Sequence, residues 1–230
     1  MLATRALTEE QMDDPALPAE VYERVLNDLA RVNGVTLARR PTLRFLRRLP
    51  RQPTPLRILD VGFGDGDMLR SIFRWSVQHK IPVTLTGVDL NARSAAIAAA
   101  QTPDDMGIDY RTGDYADLAG QGWDVILSSL VAHHMSQDQL TEFLRFMSAE
   151  AKSGWFINDL HRHEFAYLGY PLLARIMGWH RIVREDGQLS IARSYRPAEW
   201  PPILSEAGVR GARVFRTFPF RLCVEQIRSS

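Results

Sequence analysis

Apolar residues recur at spacings of three and four from Val21 through Val25, Leu26 and Leu29 to Val32, which predicts an amphipathic helix over residues 20–32. Pro41, whose fixed φ suits a first helical turn, opens a second short helix with Leu43, Phe45, Leu46 and Leu49 as its apolar positions. Pro50, Pro53 and Pro55 end it, and residues 50–55 mark a boundary. Beyond it the period changes. Strands are predicted at 57–62, 83–90, 108–113, 123–130 and 155–160, alternating with helices at 66–79, 92–101 and 137–151. The run 123–130 carries Trp123, Val125, Ile126, Leu127 and Leu130, with consecutive apolar residues at its centre as a strand covered on both faces requires. This alternation predicts an α/β fold with a doubly wound, mostly parallel sheet.

The C-terminal part departs from that rhythm. A helix is predicted at 163–178, carrying Tyr167, Leu168, Leu172, Leu173, Ile176 and Met177. Another at 196–207 is interrupted near its middle by Pro201 and Pro202, and strands at 213–218 and 220–226, split by Pro219, suit a hairpin at the sheet edge. The expected division is an N-terminal helical lid over 1–52 and a main domain over 53–230 with a helical insertion near 163–180.

Composition adds exclusions. At 230 residues, 45% hydrophobic and 9% aromatic, the chain can build a sizeable core and is not a disordered or fibrous protein. The single cysteine, Cys223, rules out an intrachain disulfide and a Cys-rich metal site. No apolar run approaches the roughly 18–20 residues of a membrane span, and residues 1–14 lack the apolar stretch of a signal peptide. A soluble cytoplasmic protein with no membrane span is the expectation. A net charge of +1 gives no global attraction to nucleic acid. Arginines do gather between Arg31 and Arg57 with no acidic residue among them, but Arg44, Arg47, Arg48 and Arg51 follow helical spacing, so a solvated face accounts for them.

The most informative motif is residues 58–66, Ile-Leu-Asp-Val-Gly-Phe-Gly-Asp-Gly. A strand runs into glycines at 62, 64 and 66 and then into a helix, whose first N–H groups lack intrahelical partners. The next predicted strand ends at Asp89, where a carboxylate can accept two ribose hydroxyls. A dinucleotide fingerprint would place its third glycine at residue 67, which is Asp67, an acid that would repel a pyrophosphate. NAD is therefore disfavoured.

In these residues the chain resembles the class I S-adenosylmethionine-dependent methyltransferase family. The resemblance covers residues 56–226 and rests on Leu59 to Gly66, on Gly87-Val88-Asp89, on Gly113-Asp114-Tyr115, and on Trp123 to Ser129. It implies a seven-stranded Rossmann-like sheet whose last strand is antiparallel, and S-adenosyl-L-methionine as cofactor. It also implies that Gly62 and Gly64 pass the methionine moiety, that Asp89 binds the ribose, that Asp114 reaches the adenine amino group with Tyr115 beside the ring, that Ser129 lies by the cofactor, and that Asp60, Phe63 and Leu90 are further cofactor-binding residues.

Ligands of open α/β sheets lie at the carboxyl ends of the strands. Two segments there carry four of the six histidines: His133 and His134 after the fourth strand, His161 and His163 after the fifth. Residues 133–138 resemble the His-x-x-Ser-acid-acid stretch of phenolic O-methyltransferases, in which the histidine is the general base. His133 falls on that position and His161 is the alternative; Gln137 stands for one acid, and His134-Met135 for an Asp-Trp pair. No metal is expected, because adjacent histidines do not easily converge on one ion. Tyr167, Tyr170 and Trp179 suit one wall of a flat, apolar acceptor site, and equally a subdomain core or a homodimer contact.

The function expected is methylation of a small molecule, at oxygen of an aromatic or polyketide-like hydroxyl, with carbon methylation of a quinone precursor as the alternative. A nucleic-acid methyltransferase is a third reading. Against it, the fourth strand ends Ser128-Ser129-Leu130-Val131, without the Pro-Pro-Tyr motif of amino-group methylation. A binding module that keeps the fold without catalysis is disfavoured by the intact glycine loop and Asp89.

Overall fold

The computed structural model describes residues 2–50 and 54–228. The expected boundary between residues 52 and 53 lies outside the described residues. Two helices, α1 (Ala19–Val35) and α2 (Arg39–Leu46), precede the alternating region. There follow β1 (Leu56–Val61), α3 (Asp67–His79), β2 (Val83–Asp89), α4 (Ala92–Ala100), β3 (Asp109–Thr112), β4 (Val125–Ser129), α5 (Gln137–Glu150) and β5 (Gly154–Leu160). The chain closes with α6 (Glu164–Ile176), α7 (Arg181–Arg193), α8 (Trp200–Glu206), β6 (Arg213–Thr217) and β7 (Arg221–Ile227).

The strands form one seven-stranded sheet in the order β3-β2-β1-β4-β5-β7-β6. Strands β1 to β5 pair in parallel, and β7 enters antiparallel between β5 and β6. The strand order reverses between β1 and β4, so the loops leaving these two strands diverge and open a crevice. One face of the sheet buries Phe45 of α2, Leu69 and Ile72 of α3 and Ala98 of α4, with Phe45 stacked on Phe156 at 4.9 Å. The other buries Leu140, Phe143 and Met147 of α5 and Trp200 and Ile203 of α8 against Trp123 and Trp155. At roughly 1.5–3 kcal/mol per fully buried large side chain, these layers dominate the stability of the sheet.

A third apolar cluster stands apart from the sheet. Val25 and Val32 of α1 pack on Ala174 of α6, Trp179, and Ile182 and Val183 of α7. The N-terminal and tail helices thus share one core. Helix α7 was not anticipated, because its apolar positions are sparse and its buried face includes Asp186, Ser190 and Arg193. Asp186 accepts the backbone N–H groups of Gln11 and Met12 at 3.1 and 2.9 Å, which fastens the N-terminal segment to the helix. The expected interruption of a helix at Pro201 and Pro202 does not occur. The two prolines occupy the first turn of α8, where a missing N–H costs nothing.

Candidate functional site

A cavity of about 1140 Å³ opens at the carboxyl ends of the strands, between the β1 loop, the loop after β4, and helices α1, α6 and α7. Gly62 and Gly66 turn the chain out of β1 at φ of +76° and +77°, where a side chain would be strained. A Cβ on Gly66 would lie 2.3 Å from the Tyr110 hydroxyl, so this glycine also permits a close contact. Asp89 braces the loop: its carboxylate accepts Gly64 N–H and Asn91 N–H, both at 2.9 Å. The Ser94 hydroxyl also reaches this carboxylate, and its remaining acceptor capacity borders the cavity, where ribose hydroxyls can donate.

Asp60 is buried, its Oδ1 has no partner, and it faces the cavity. Burial, reinforced by the charges of Asp89 and Asp67, pushes its carboxyl up to about 8. Ser129 Oγ is likewise buried, unpartnered and on the cavity wall. Two orphaned polar groups beside a loop braced for a ribose fit a nucleoside bearing a cationic amino-acid arm. Phe63, Leu90, Gly113 and Tyr115 line the same space. Asp114 does not: it is exposed, is not part of the cavity wall, and caps a short turn by accepting Ala116 N–H at 2.9 Å.

His133 lies on the opposite wall, 3% exposed. Its Nδ1 is 2.7 Å from Asp159 Oδ1, and its backbone N–H donates to Asp159 Oδ2 at 2.8 Å. Its Nε2 faces Glu10 Oε1 at 3.5 Å. Burial opposes charge on the ring, but Asp159 and then Glu10 outweigh it and hold the imidazole pKa up at about 9. Asp159 itself stays below the usual carboxylate range: burial alone would raise it, and His133 overrides that. His134 does converge on the same point, contrary to the expectation for adjacent histidines. Its Nε2 is 3.8 Å from Glu10 Oε1 while Asp13 Oδ2 lies 3.1 Å from its Nδ1. A tight turn at residues 132–134 tilts the two rings together, with centroids 4.3 Å apart. The Arg193 guanidinium, 3.8 Å from Glu10 Oε1, brings positive charge to that oxygen, and the group reads as an ion-pair network.

His161 and His163 are not part of this wall. They line a separate hollow of about 220 Å³ with Arg216 and the 218–220 turn. Burial, then the neighbouring His163 and the guanidinium groups of Arg216, Arg196 and Arg162, pushes His161 down to about 4. Of the three aromatic residues expected at the acceptor wall, Tyr170 lines the cavity, Trp179 belongs to the helical core, and Tyr167 is not part of the wall. The outer face of α6, with Phe165, Leu168, Leu172 and Ile176, is exposed, so these side chains form no subdomain core.

Sequence reasoning missed Glu10, Asp159 and Arg193. Asp159 was legible as an acid ending the fifth strand. Glu10 carried no signal, since only the docking of residues 5–13 along α7 brings it in. Arg5 helps to hold that segment, donating to the carbonyls of Arg193, His133 and Met135.

Residues 58–154 match the family model for a methyltransferase domain. The ubiquinone biosynthesis O-methyltransferase of Brucella ovis is 31% identical over 175 residues, 71% of this chain and 64% of that protein. That of Parvibaculum lavamentivorans is 30% identical over 132 residues, 54% and 48% of the two chains. The chain therefore spans less than two thirds of the length of the curated relatives it matches. Among solved structures, magnesium protoporphyrin IX methyltransferase from Synechocystis, with bound S-adenosylhomocysteine, superposes with a TM-score of 0.56 at 16% identity, covering 95% of this chain and 91% of that one. A plantazolicin methyltransferase superposes at 0.57 with 15% identity, over 95% and 88% of the two chains. These structural likenesses share the fold. Among the described residues no helix is long and apolar enough to cross a membrane.

Proposed function

The chain belongs to the class I S-adenosylmethionine-dependent methyltransferase family, and from that premise we propose that it methylates a hydroxyl oxygen of a small aromatic or polyketide-like molecule. The observation that carries this reading is the continuity of one cavity from Asp89 and the glycine loop to the Asp159-held ring of His133. S-adenosylmethionine, when bound, supplies a methyl group on a sulfonium that is already electrophilic. The chain's own contribution is therefore positioning and proton handling. Asp89 would hold the ribose, Gly62 and Gly64 would let the backbone approach the methionine arm, Asp60 and Ser129 would face its polar end, and Leu90 and Tyr115 would flank the base.

An acceptor hydroxyl must lose its proton as the methyl group arrives. Asp159 fixes the His133 ring and its tautomer, leaving Nε2 to face Glu10, which lines the cavity with it. In the neutral ring Nε2 takes the hydroxyl proton, and Glu10 sets how readily the ring becomes neutral. The relatives named for ubiquinone biosynthesis support an aromatic acceptor.

The test is direct. His133→Ala should lower turnover of a phenolic acceptor by roughly 100-fold while leaving S-adenosylhomocysteine affinity within a few-fold. Near-wild-type turnover in that variant would refute the proton-handling role. Carbon methylation of the same panel would replace the oxygen reading.

A further inference from the structure

Arg221 is the first residue of β7, 2% exposed, and lies on the walls of both the main cavity and the hollow beside it. Its Nη2 donates to Thr36 Oγ1 at 3.1 Å, but its Nε and Nη1 have no partner. Among the described residues no carboxylate comes within 4.0 Å of it. The facing acid, Asp159, is occupied by His133. A buried guanidinium without an ion pair is costly, because its desolvation is not repaid. The adjoining hollow adds the Arg216 guanidinium, and no acidic residue lines it. Positive charge is thus concentrated at this end of the cavity.

We propose that Arg221 binds an anionic group, a carboxylate or a phosphate, carried by the methyl acceptor. This rests on the methyl-transfer reading for the word acceptor, and on the geometry of β7 for the anion. At about 4.8 Å per strand, β7 lies three steps, roughly 14 Å, from β1 and its glycine loop. It lies only one to two steps, roughly 5–10 Å, from the ends of β5 and β4 that carry Asp159 and the His133 turn. That shorter span is the width of one substituted aromatic ring. A molecule with its hydroxyl at His133 and its acid group at Arg221 fills the interval. The other source of a carboxylate is the cofactor's amino-acid arm, and the experiment separates the two.

Binding is measured by calorimetry on the S-adenosylhomocysteine complex, with 4-hydroxybenzoate and phenol as probes. The wild type should prefer 4-hydroxybenzoate by at least about tenfold. Arg221→Met should erase that preference, with S-adenosylhomocysteine affinity kept within about threefold and, because an unpaired buried cation has been removed, no fall in the ligand-free melting temperature. No preference in the wild type overturns the proposal. So does a roughly tenfold loss of S-adenosylhomocysteine affinity in Arg221→Met, which would assign the anion to the cofactor. Should Arg221→Met not fold, competition on the wild type decides: benzoate must displace 4-hydroxybenzoate where benzyl alcohol does not, and failure of benzoate refutes the site. The readout is binding, so absent turnover of either probe would count against methyl transfer and not against the anion site.

Discussion

Replacing Glu10 by Gln tests the electrostatics of the site with the smallest change of shape. The carboxylate is buried, with its Oε1 3.5 Å from His133 Nε2. The His133 pKa of about 9, against an ordinary 6.5, corresponds to roughly 3 kcal/mol in favour of the imidazolium after the cost of burial. Two carboxylates supply it. Unit charges about 4 Å apart interact by roughly 4 kcal/mol at an effective dielectric constant of about 20. Losing one of the two should therefore lower the His133 pKa by at least about one unit, or ~1.4 kcal/mol. The assay is kcat/KM for a phenolic acceptor between pH 6 and 10 at saturating cofactor. If neutral His133 is the base, the wild-type rate rises through pH of about 9. Glu10→Gln should move that rise to lower pH and keep the plateau. Stability offers an independent reading with a defined sign. The folded-state pKa is raised, so the contribution of the charged ring is complete below pH of about 6.5 and is lost as pH climbs through about 9. In urea titrations the variant should lose its share earlier in that window. A rise that does not move, or a rate that falls equally at every pH, would refute the coupling between Glu10 and the ring.

Two further outcomes follow from the cofactor end. Asp60, held near 8 by burial, should lose its proton to solution when a cationic amino-acid arm binds beside it. At pH 7, S-adenosylhomocysteine binding should then release up to about one proton, seen as a buffer-dependent calorimetric heat that Asp60→Asn abolishes. Asp89→Ala removes the acceptor for Gly64 and Asn91 N–H as well as for the ribose, and should cost about 1–3 kcal/mol of S-adenosylhomocysteine affinity; unchanged affinity would overturn the ribose assignment.

What the sequence determined by itself was what local periodicity and backbone chemistry control. The alternation of strands and helices was legible because each element must bury a face of fixed period, and the observed ends of β1, β2, α4 and α5 fall within one or two residues of those read from the chain. The loop 62–66 was legible because only glycine takes those φ values cheaply, and Asp89 because it ends the strand that follows. Tertiary structure decided what rests on long-range contact. Glu10 reaches His133 from the far end of the sequence because Asp186 and Arg5 fasten the N-terminal segment to α7 and to the loop after β4. His161 left the acceptor wall because its strand ends against the β7 turn, where its backbone N–H donates to the Phe220 carbonyl. Arg221, one arginine among many in the sequence, became distinct only when the sheet buried it without an acid. Period and φ are properties of neighbours along the chain, whereas burial and charge pairing are properties of neighbours in space, and those are fixed only when the chain has packed.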